Sequence, residues 1–500
     1  MNILLVYPEF LVTFWSWKHL LRFVAKKAAF PPHGLATVAR MLPKSWAKKL
    51  VDLNVEALTD EDIKWADYIF VSAMITQKDS AKEVISRAKV LGKPVVLGGP
   101  IIETGLDEFD VVDHLFIGEA EETLPEFLKD LSSGSPRRIY ASSRFPDIAS
   151  SPIPLWKGLV DAGNYASMMA QFCRGCPYGC TFCNIAKVNG KRPRLRSNEC
   201  FFAELDEIYE TGFRGAVLLA DDNFIANKAK AKLLLGELAL WQEERGFPFE
   251  FTAEAAIVIS DDEELMGLMV QAGFKKVFLG LETNNPDTLA EFEKHQNLGR
   301  DLVADVKKIQ AAGLIPMSGF IVGADADNPD AFAQEMIDFI QSSGIVMAMV
   351  GVLQAPTDSK LYHRLSNEGR LVDVASGNNT DYYPNFVPKM PLEKLVAGYK
   401  KIVQTIYSPR KYYERIREFL KEYGSHKRLQ RPMTKLDFLA FLRSIWWIGL
   451  FGGLKPSYYY WKSLALALLK YRKAFADVVA FQIYGVHFRS VTKAITKPQG

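Results

Sequence analysis

Short β-branched runs recur through the N-terminal part of the chain: ILLVY at 3–7, YIFVSAM at 68–74, VVLGG at 95–99 and HLFIG at 114–118. Near-continuous apolar runs of this length read as strands buried on both faces, which points to a parallel sheet. Between them, 34–42, 80–91 and 121–131 carry apolar residues three or four apart, the spacing of one helix face. The alternation predicts a doubly wound, Rossmann-like α/β domain over residues 1–135. Ligands of such folds sit in the loops at the carboxyl ends of the strands. Those ends carry Tyr7, Pro8, Ser72, Met74, Gly98, Gly99, Gly118 and Glu119, which form the first candidate site.

The stretch 132–154 is rich in Ser and Pro with little apolar periodicity, so a linker is expected over 136–160. A second series of apolar runs follows at 167–172, 215–220, 249–255, 276–282, 317–323 and 346–352, separated by helix-length stretches. Six βα units over 161–395 predict an incomplete (β/α)6 barrel, with its chemistry at the carboxyl ends of the strands. Residues 396–500 change to helical patterns rich in Tyr, Trp, Lys and Arg. Within them 438–454 is too short to span a bilayer and is interrupted by Arg443 and three glycines.

Length and composition agree with two or three folded domains: 500 residues, 48% hydrophobic and 24% charged. A net charge of +3 is too small at this size to argue for a nucleic-acid-binding surface. The opening MNILLVYPEF enters an apolar strand without a basic leader, so the cytoplasm is the expected location.

Four of the five cysteines lie between Cys173 and Cys183, a clustering that reads as metal binding rather than as a disulfide framework. In QFCRGCPYGCTFCNI, Cys176, Cys180 and Cys183 have the spacing C-x3-C-x2-C directly after the first barrel strand. A four-iron cluster normally takes four cysteines, so three thiolates leave one iron open to chelate a cofactor. Gly175, Pro177 and Gly179 suit a tight loop, and the aromatic Phe182 shields the cluster from water. Adding Cys173 would give a four-cysteine structural zinc site. Zinc pairs usually come from hairpin turns, whereas this loop follows a strand and precedes five more βα units. Cys173 is then a small buried residue or a functional thiol, and Cys200 belongs to packing.

The cysteine loop with its glycine, proline and aromatic filling resembles the signature of the radical S-adenosylmethionine (SAM) superfamily. The N-terminal domain resembles the cobalamin-binding domain of that superfamily's cobalamin-dependent branch. LQAPTDSKLYHRLSNEGRL and NFVPKM resemble the subgroup that includes hopanoid C-2 methylases. The resemblance implies a 4Fe-4S cluster on Cys176, Cys180 and Cys183, SAM in the barrel mouth beside Phe182, and cobalamin on the N-terminal strand-end loops. It implies that Asp221 and Asp222 contact the SAM amino group, with helix capping as the alternative for Asp222. It assigns Glu254 and Glu282 to polar contacts with SAM, against a buried ion pair with a barrel Lys or Arg. It lays the backbone of Gly319, Ile321 and Gly323 along adenine. The D-x-H-x-x-G motif that supplies a cobalt-binding histidine is absent, and neither His33 nor Asp113-His114 replaces it.

The implied activity is methylation of an unactivated carbon by way of a SAM-derived radical and a cobalamin-borne methyl group, with the chemistry carried by the cofactors. The implied substrate is a hopanoid or isoprenoid lipid and the implied partner a flavodoxin- or ferredoxin-type electron donor. Radical ring formation or carbon-carbon coupling on a lipid is the alternative. Others are a noncatalytic zinc-binding, membrane-docking protein and a transfer-RNA methylthiolating enzyme, the latter without a basic RNA-binding module. A vestigial N-terminal domain without a cofactor also stays open. The C-terminal helices are expected to make peripheral membrane contact, with a lid over the barrel as the other reading.

Overall fold

A computed structural model describes residues 1–424 and 434–497 of the chain. The parts of the C-terminal region at 425–433 and 498–500 lie outside the described residues. The first six strands are β1 (Asn2–Tyr7), β2 (Ala47–Asp52), β3 (Tyr68–Ser72), β4 (Val95–Gly98), β5 (His114–Ile117) and β6 (Ile139–Ala141). They form one parallel sheet in the order β2-β1-β3-β4-β5-β6. Chain direction across the sheet reverses between β1 and β3, the switch point at which doubly wound folds take ligands. β1 is buried on both faces, with Ile3 and Leu5 in one core and Leu4 and Val6 in another. That two-sided burial produces the continuous apolar run in its sequence.

The expected strands and helices of this domain are present within a residue or two, and two strands are additional. Both, β2 and β6, are edges of the sheet. Lysines 48 and 49 open β2, a common device on an edge that must not recruit another chain. β6 falls inside the stretch expected to be a linker. That stretch also buries Ile148 and Trp156 completely, and Leu155 donates its N–H to the Ala36 carbonyl at 2.9 Å.

The barrel begins with β7 (Ser167–Ala170), continues through the two-residue strands β8 (Cys173–Arg174) and β9 (Arg194–Leu195), and then runs β10 (Gly215–Leu219) and β11 (Phe249–Ala255). It ends with β12 (Phe274–Glu282), β13 (Ile315–Val322) and β14 (Met347–Val352). All but β8 and β9 form a second parallel sheet, in the order β14-β13-β12-β11-β10-β7, open between β7 and β14. β8 and β9 pair antiparallel as a separate ribbon that bounds the cysteine loop.

The C-terminal helices brace the outside of this assembly. Arg415, fully buried on helix Pro409–Tyr423, donates to Gln341 Oε1 (2.9 Å) and to the carbonyls of Ile406 (2.9 Å) and Val346 (3.2 Å). Helix Phe475–Thr496 stacks Phe488 on Tyr407 at 4.9 Å and sets His487 Nε2 3.0 Å from the Phe14 carbonyl of the N-terminal domain. Among the described residues no helix is long and apolar enough to cross a membrane.

Candidate functional site

The loop between β8 and β9 is held by backbone contacts that demand its glycines. Gly175 has φ +95, and a Cβ there would lie 2.8 Å from the Gly190 carbonyl oxygen, which accepts the Cys176 N–H at 3.1 Å. Further along, Thr181 donates to Phe292 O (2.9 Å) and accepts from the Leu361 N–H (2.8 Å). The loop is thus fastened to the segments that follow β12 and β14. Phe182 packs edge-on to Phe292 at 4.9 Å, within an apolar cluster that includes Ile321 and Leu353. This hydrophobic wall keeps water from one side of the loop.

Cys176, Cys180 and Cys183 are partly buried and free of disulfides. Burial raises the Cys176 thiol and pushes Cys183 up to about 12, with the neighbouring thiols adding to both shifts. Thiols so placed become thiolates when a metal takes the proton's place. Among the described residues no three His, Cys, Asp or Glu side chains close on one point as a mononuclear site requires. A four-iron cluster puts each thiolate on a different iron, so it does not require the three to meet at one point.

A buried cation set into this environment is a residue that the sequence reading missed. Lys294 is buried, lies 5.6 Å from the Phe182 ring centroid and pairs with Glu282 at 2.5 Å. Burial acts to lower its pKa, but Glu282 with Cys180 and Cys183 overcomes this and holds the ammonium above its ordinary value. Glu282 is therefore committed to Lys294 and is not a free carboxylate in the barrel mouth. Nothing in FEKHQN distinguishes Lys294 from an exposed lysine.

Three other carboxylates crowd the base of the loop. Asp221 is buried and accepts the Phe172 N–H at 2.8 Å, leaving Oδ2 without a partner, and burial pushes its pKa up to about 7. Asp222 accepts the Gly175 N–H at 2.7 Å and both its oxygens take the Asn189 amide at 3.0–3.1 Å. It clamps the cysteine loop, and the helix that follows is capped by Asn227 instead. Glu254 is pushed up to about 8 by burial and then by Asp222 and Asp221, and no basic side chain pairs with it among the described residues. An unpaired Glu254 beside the orphaned Asp221 Oδ2 suits a cation such as the ammonium or sulfonium of SAM.

On β13 the expected adenine-facing backbone divides. A Cβ at Gly319 would lie 3.4 Å from the Phe278 ring and 3.8 Å from Glu282 Oε2, so this position faces the barrel interior. Ile321 belongs to the apolar cluster around Phe182. Gly323, at φ +97, admits Leu395, which would stand 3.0 Å from a Cβ there, so it serves helix packing.

The N-terminal strand-end loops face this mouth. Pro8 O accepts from Asn54 Nδ2 at 3.2 Å and from the buried Gln77, whose Oε1 accepts the Met74 N–H at 2.8 Å, so the loops after β1 and β3 are tied together. Tyr7 pairs across the strands with Asp52, which burial raises and which accepts the Tyr165 hydroxyl at 2.9 Å. Met74 is half exposed on the rim. Gly98 lies against Phe116, and Gly99, at φ +92, brings its loop to Ser72 and the Ala73 carbonyl. Gly118, at φ +96, would put a Cβ 2.6 Å from Ser142 O, so it serves the approach to β6 rather than a ligand. Glu119 is not free for a ligand either: it pairs with Arg174 of β8 and with Arg194 of β9, the latter at 2.5 Å. His33 is committed to Glu204 at 2.9 Å and His114 to the Arg137 carbonyl at 2.7 Å, so neither serves the rim.

Several contacts bridge rim and barrel mouth. They include the Glu119 pairs, Glu121 on Arg174 at 2.8 Å, Trp15 on Phe278 at 5.0 Å, and Gly377, whose Cβ position lies 3.2 Å from Ile75.

Comparison with known proteins gives this geometry its context. Residues 171–352 match the Radical SAM superfamily and 359–499 a domain of unknown function, DUF4070. The chain is 40% identical over 441 residues to a methyltransferase of Synechocystis sp., covering 88% of this chain and 81% of that one. It is 32% identical over 482 residues to the hopanoid C-2 methylase of Rhodopseudomonas palustris, covering 94% and 90%. The fold is shared with the cobalamin-dependent SAM radical enzyme OxsB (TM-score 0.62, 14% identity, 99% of this chain and 80% of that one). It is shared also with the methyltransferase TsrM of Kitasatospora setae (TM-score 0.59, 14% identity, 99% and 100%). With its cysteine loop after the first barrel strand and a doubly wound domain across the mouth, the chain belongs to the radical SAM methyltransferases.

Proposed function

We propose that this enzyme methylates an unactivated carbon of a polycyclic or isoprenoid lipid of the hopanoid type. The observation that carries the reading is the face-to-face placement of the cysteine loop and the N-terminal rim, locked by Glu119 to Arg174 and Arg194. Reactive centres held on two rigid rims stay in register through the reaction. When bound, the cluster, SAM and cobalamin supply the radical and the methyl group.

The chain's own residues bind and position. Cys176, Cys180 and Cys183 hold the cluster, and Asp222 with Gly175 fixes the loop's shape. Glu254 and Asp221 receive the cationic part of SAM, with Gly319 on the interior wall beside it. Tyr7, Pro8, Ser72, Met74, Gly98 and Gly99 form the cobalamin rim. Trp15 and Phe278 present apolar surface to a lipid at the mouth. The division of labour follows the expected domains, with the N-terminal one extended past residue 135 to take in β6. A flavodoxin- or ferredoxin-type protein supplies electrons, and a lipid substrate places the working enzyme beside a membrane in the cytoplasm.

Anaerobic reconstitution with iron, sulfide and hydroxocobalamin tests the reading, followed by absorption and electron paramagnetic resonance spectra and an assay with a polycyclic triterpenoid. A product heavier by one CH2, lost in Cys180→Ala together with the reduced-cluster signal, is the expected outcome. A product lighter by two hydrogens would assign ring closure instead. A colourless zinc protein would overturn both.

A further inference from the structure

Helices Lys435–Ser444 and Leu454–Lys470, joined through the π-helical turn Ile445–Leu450, form a hairpin whose outer face is apolar. Leu454 is 93% exposed, Leu469 83%, Phe451 63% and Trp446 54%. On Leu454–Lys470 the exposed positions 454, 458, 461, 465 and 468 repeat at helical spacing, while Tyr460, Leu464 and Ala467 face inward. The apolar residues therefore occupy the face that a helix of a water-facing surface gives to charged residues. Large contiguous apolar surface on a folded protein marks an interaction site.

The hairpin is built rather than frayed. Ser444 Oγ and the Tyr460 hydroxyl lie 2.8 Å apart, Ser457 Oγ donates to Ile448 O at 2.9 Å, and Trp461 Nε1 donates to Gly449 O at 3.0 Å. Between residues 435 and 473 there are seven Lys or Arg against one acidic residue, Asp437, whose carboxylate accepts the Thr434 hydroxyl at 2.7 Å in a capping box. Apolar and aromatic side chains ringed by cations complement a bilayer surface with anionic headgroups.

We infer that the outer face of this hairpin seats the enzyme flat on an anionic lipid bilayer. The inference rests on the lipid reading of the active site and names the surface through which the enzyme meets that lipid. Neither helix spans the membrane; both lie in its interface. The seat is joined to the mouth of the barrel. Arg443 donates to the Phe23 carbonyl at 2.9 Å, and Arg22 stacks on Trp447 at 5.1 Å, both on helix Lys18–Val24. The segment before that helix exposes Leu11 and Val12 and ends in the Trp15 contact with Phe278. A lipid rising from the bilayer beside this segment reaches the mouth without crossing water.

Flotation of the full chain with vesicles of phosphatidylcholine alone, and of equal parts phosphatidylcholine and phosphatidylglycerol, tests the seat without any turnover. The wild type is expected to float with the anionic vesicles and to lose roughly fivefold in affinity for each of Lys455→Gln, Lys462→Gln and Lys470→Gln. Trp446→Ser/Leu454→Ser/Leu469→Ser, all at exposed positions, is expected to keep the wild-type melting temperature and circular dichroism and to stay at the bottom of the gradient. Wild type that does not float on anionic vesicles, or serine and glutamine variants that float as it does, would overturn the inference. So would a wild-type dimer that the serine variant turns into a monomer without any vesicle binding, since the face would then cover a second copy. Protein that floats but modifies no lipid would retain the seat and remove the substrate assignment.

Discussion

Lys294→Met isolates the least expected feature of the site. The Lys294–Glu282 pair is 2.5 Å long and each side chain is only 8% exposed. Removing one partner of a buried pair typically costs about 3–5 kcal/mol, because the remaining charge is left without compensation. A buried carboxylate left alone is relieved by protonation, which for a free glutamate costs about 3.7 kcal/mol at pH 7, and about 1.4 kcal/mol less for each pH unit below that. A carboxyl whose folded pKa is raised stabilises the fold below its unfolded pKa, and the contribution is lost as pH rises through the folded pKa. Lys294→Met should therefore lie closest to wild type near pH 5 and fall away toward neutrality. In a unit the size of the barrel the neutral-pH penalty amounts to on the order of 10 °C in melting temperature. Glu282→Gln/Lys294→Met, which removes both charges, should recover most of it. Scanning fluorimetry of the four proteins across this pH range measures the cycle. A single variant within about 2 °C of wild type at pH 7, or a double variant worse than the single, would show that the pair does not hold the barrel mouth.

Other expectations follow from neighbouring groups. Asp222→Ala frees the Gly175 N–H and the Asn189 amide, costs about 2–3 kcal/mol and should lower iron bound per chain after reconstitution; unchanged iron content would contradict the clamp. Asp221 and Glu254 are raised to about 7 and 8 in the folded state, so protein without cofactors should lose stability as pH rises from about 4 to 8 and level off above that. Glu254→Gln should flatten that slope, and a slope equal to wild type would refute the assignment. Gly118→Ala places a Cβ 2.6 Å from Ser142 O at φ +96 and should cost at least about 1–2 kcal/mol, read as a lower thermal midpoint; a neutral substitution would mean that the loop is free to move.

The two-layer plan of the chain was legible because its interior strands are buried on both faces and write continuous apolar runs into the sequence. The edges β2 and β6 were not, since an edge strand has no such obligation: lysines open β2, and β6 is three residues between polar stretches. The cysteine loop could be read directly, because thiolate spacing and glycines are local requirements. The roles of the carboxylates could not. Asp222, Glu119 and Glu282 each sit at a strand end, where a ligand group and a structural clamp have the same local sequence. Only their partners, the Gly175 amide, Arg174 with Arg194, and Lys294, separate the two.

Those partners share a consequence. The cysteine loop is held at its start by Asp222, on its barrel side by the Thr181 contacts, and at both flanking strands by Glu119 of the opposite domain. The Glu119 pairs are nearly buried, so they resist solvent screening and fix separation as well as orientation. A residue that sequence reasoning placed on one cofactor thus ties the N-terminal rim to the ribbon that bounds the cysteine loop. Charge at the end of β5 is used to set the distance between that rim and the cysteine loop, a task that local motifs do not encode because its two halves lie in different domains.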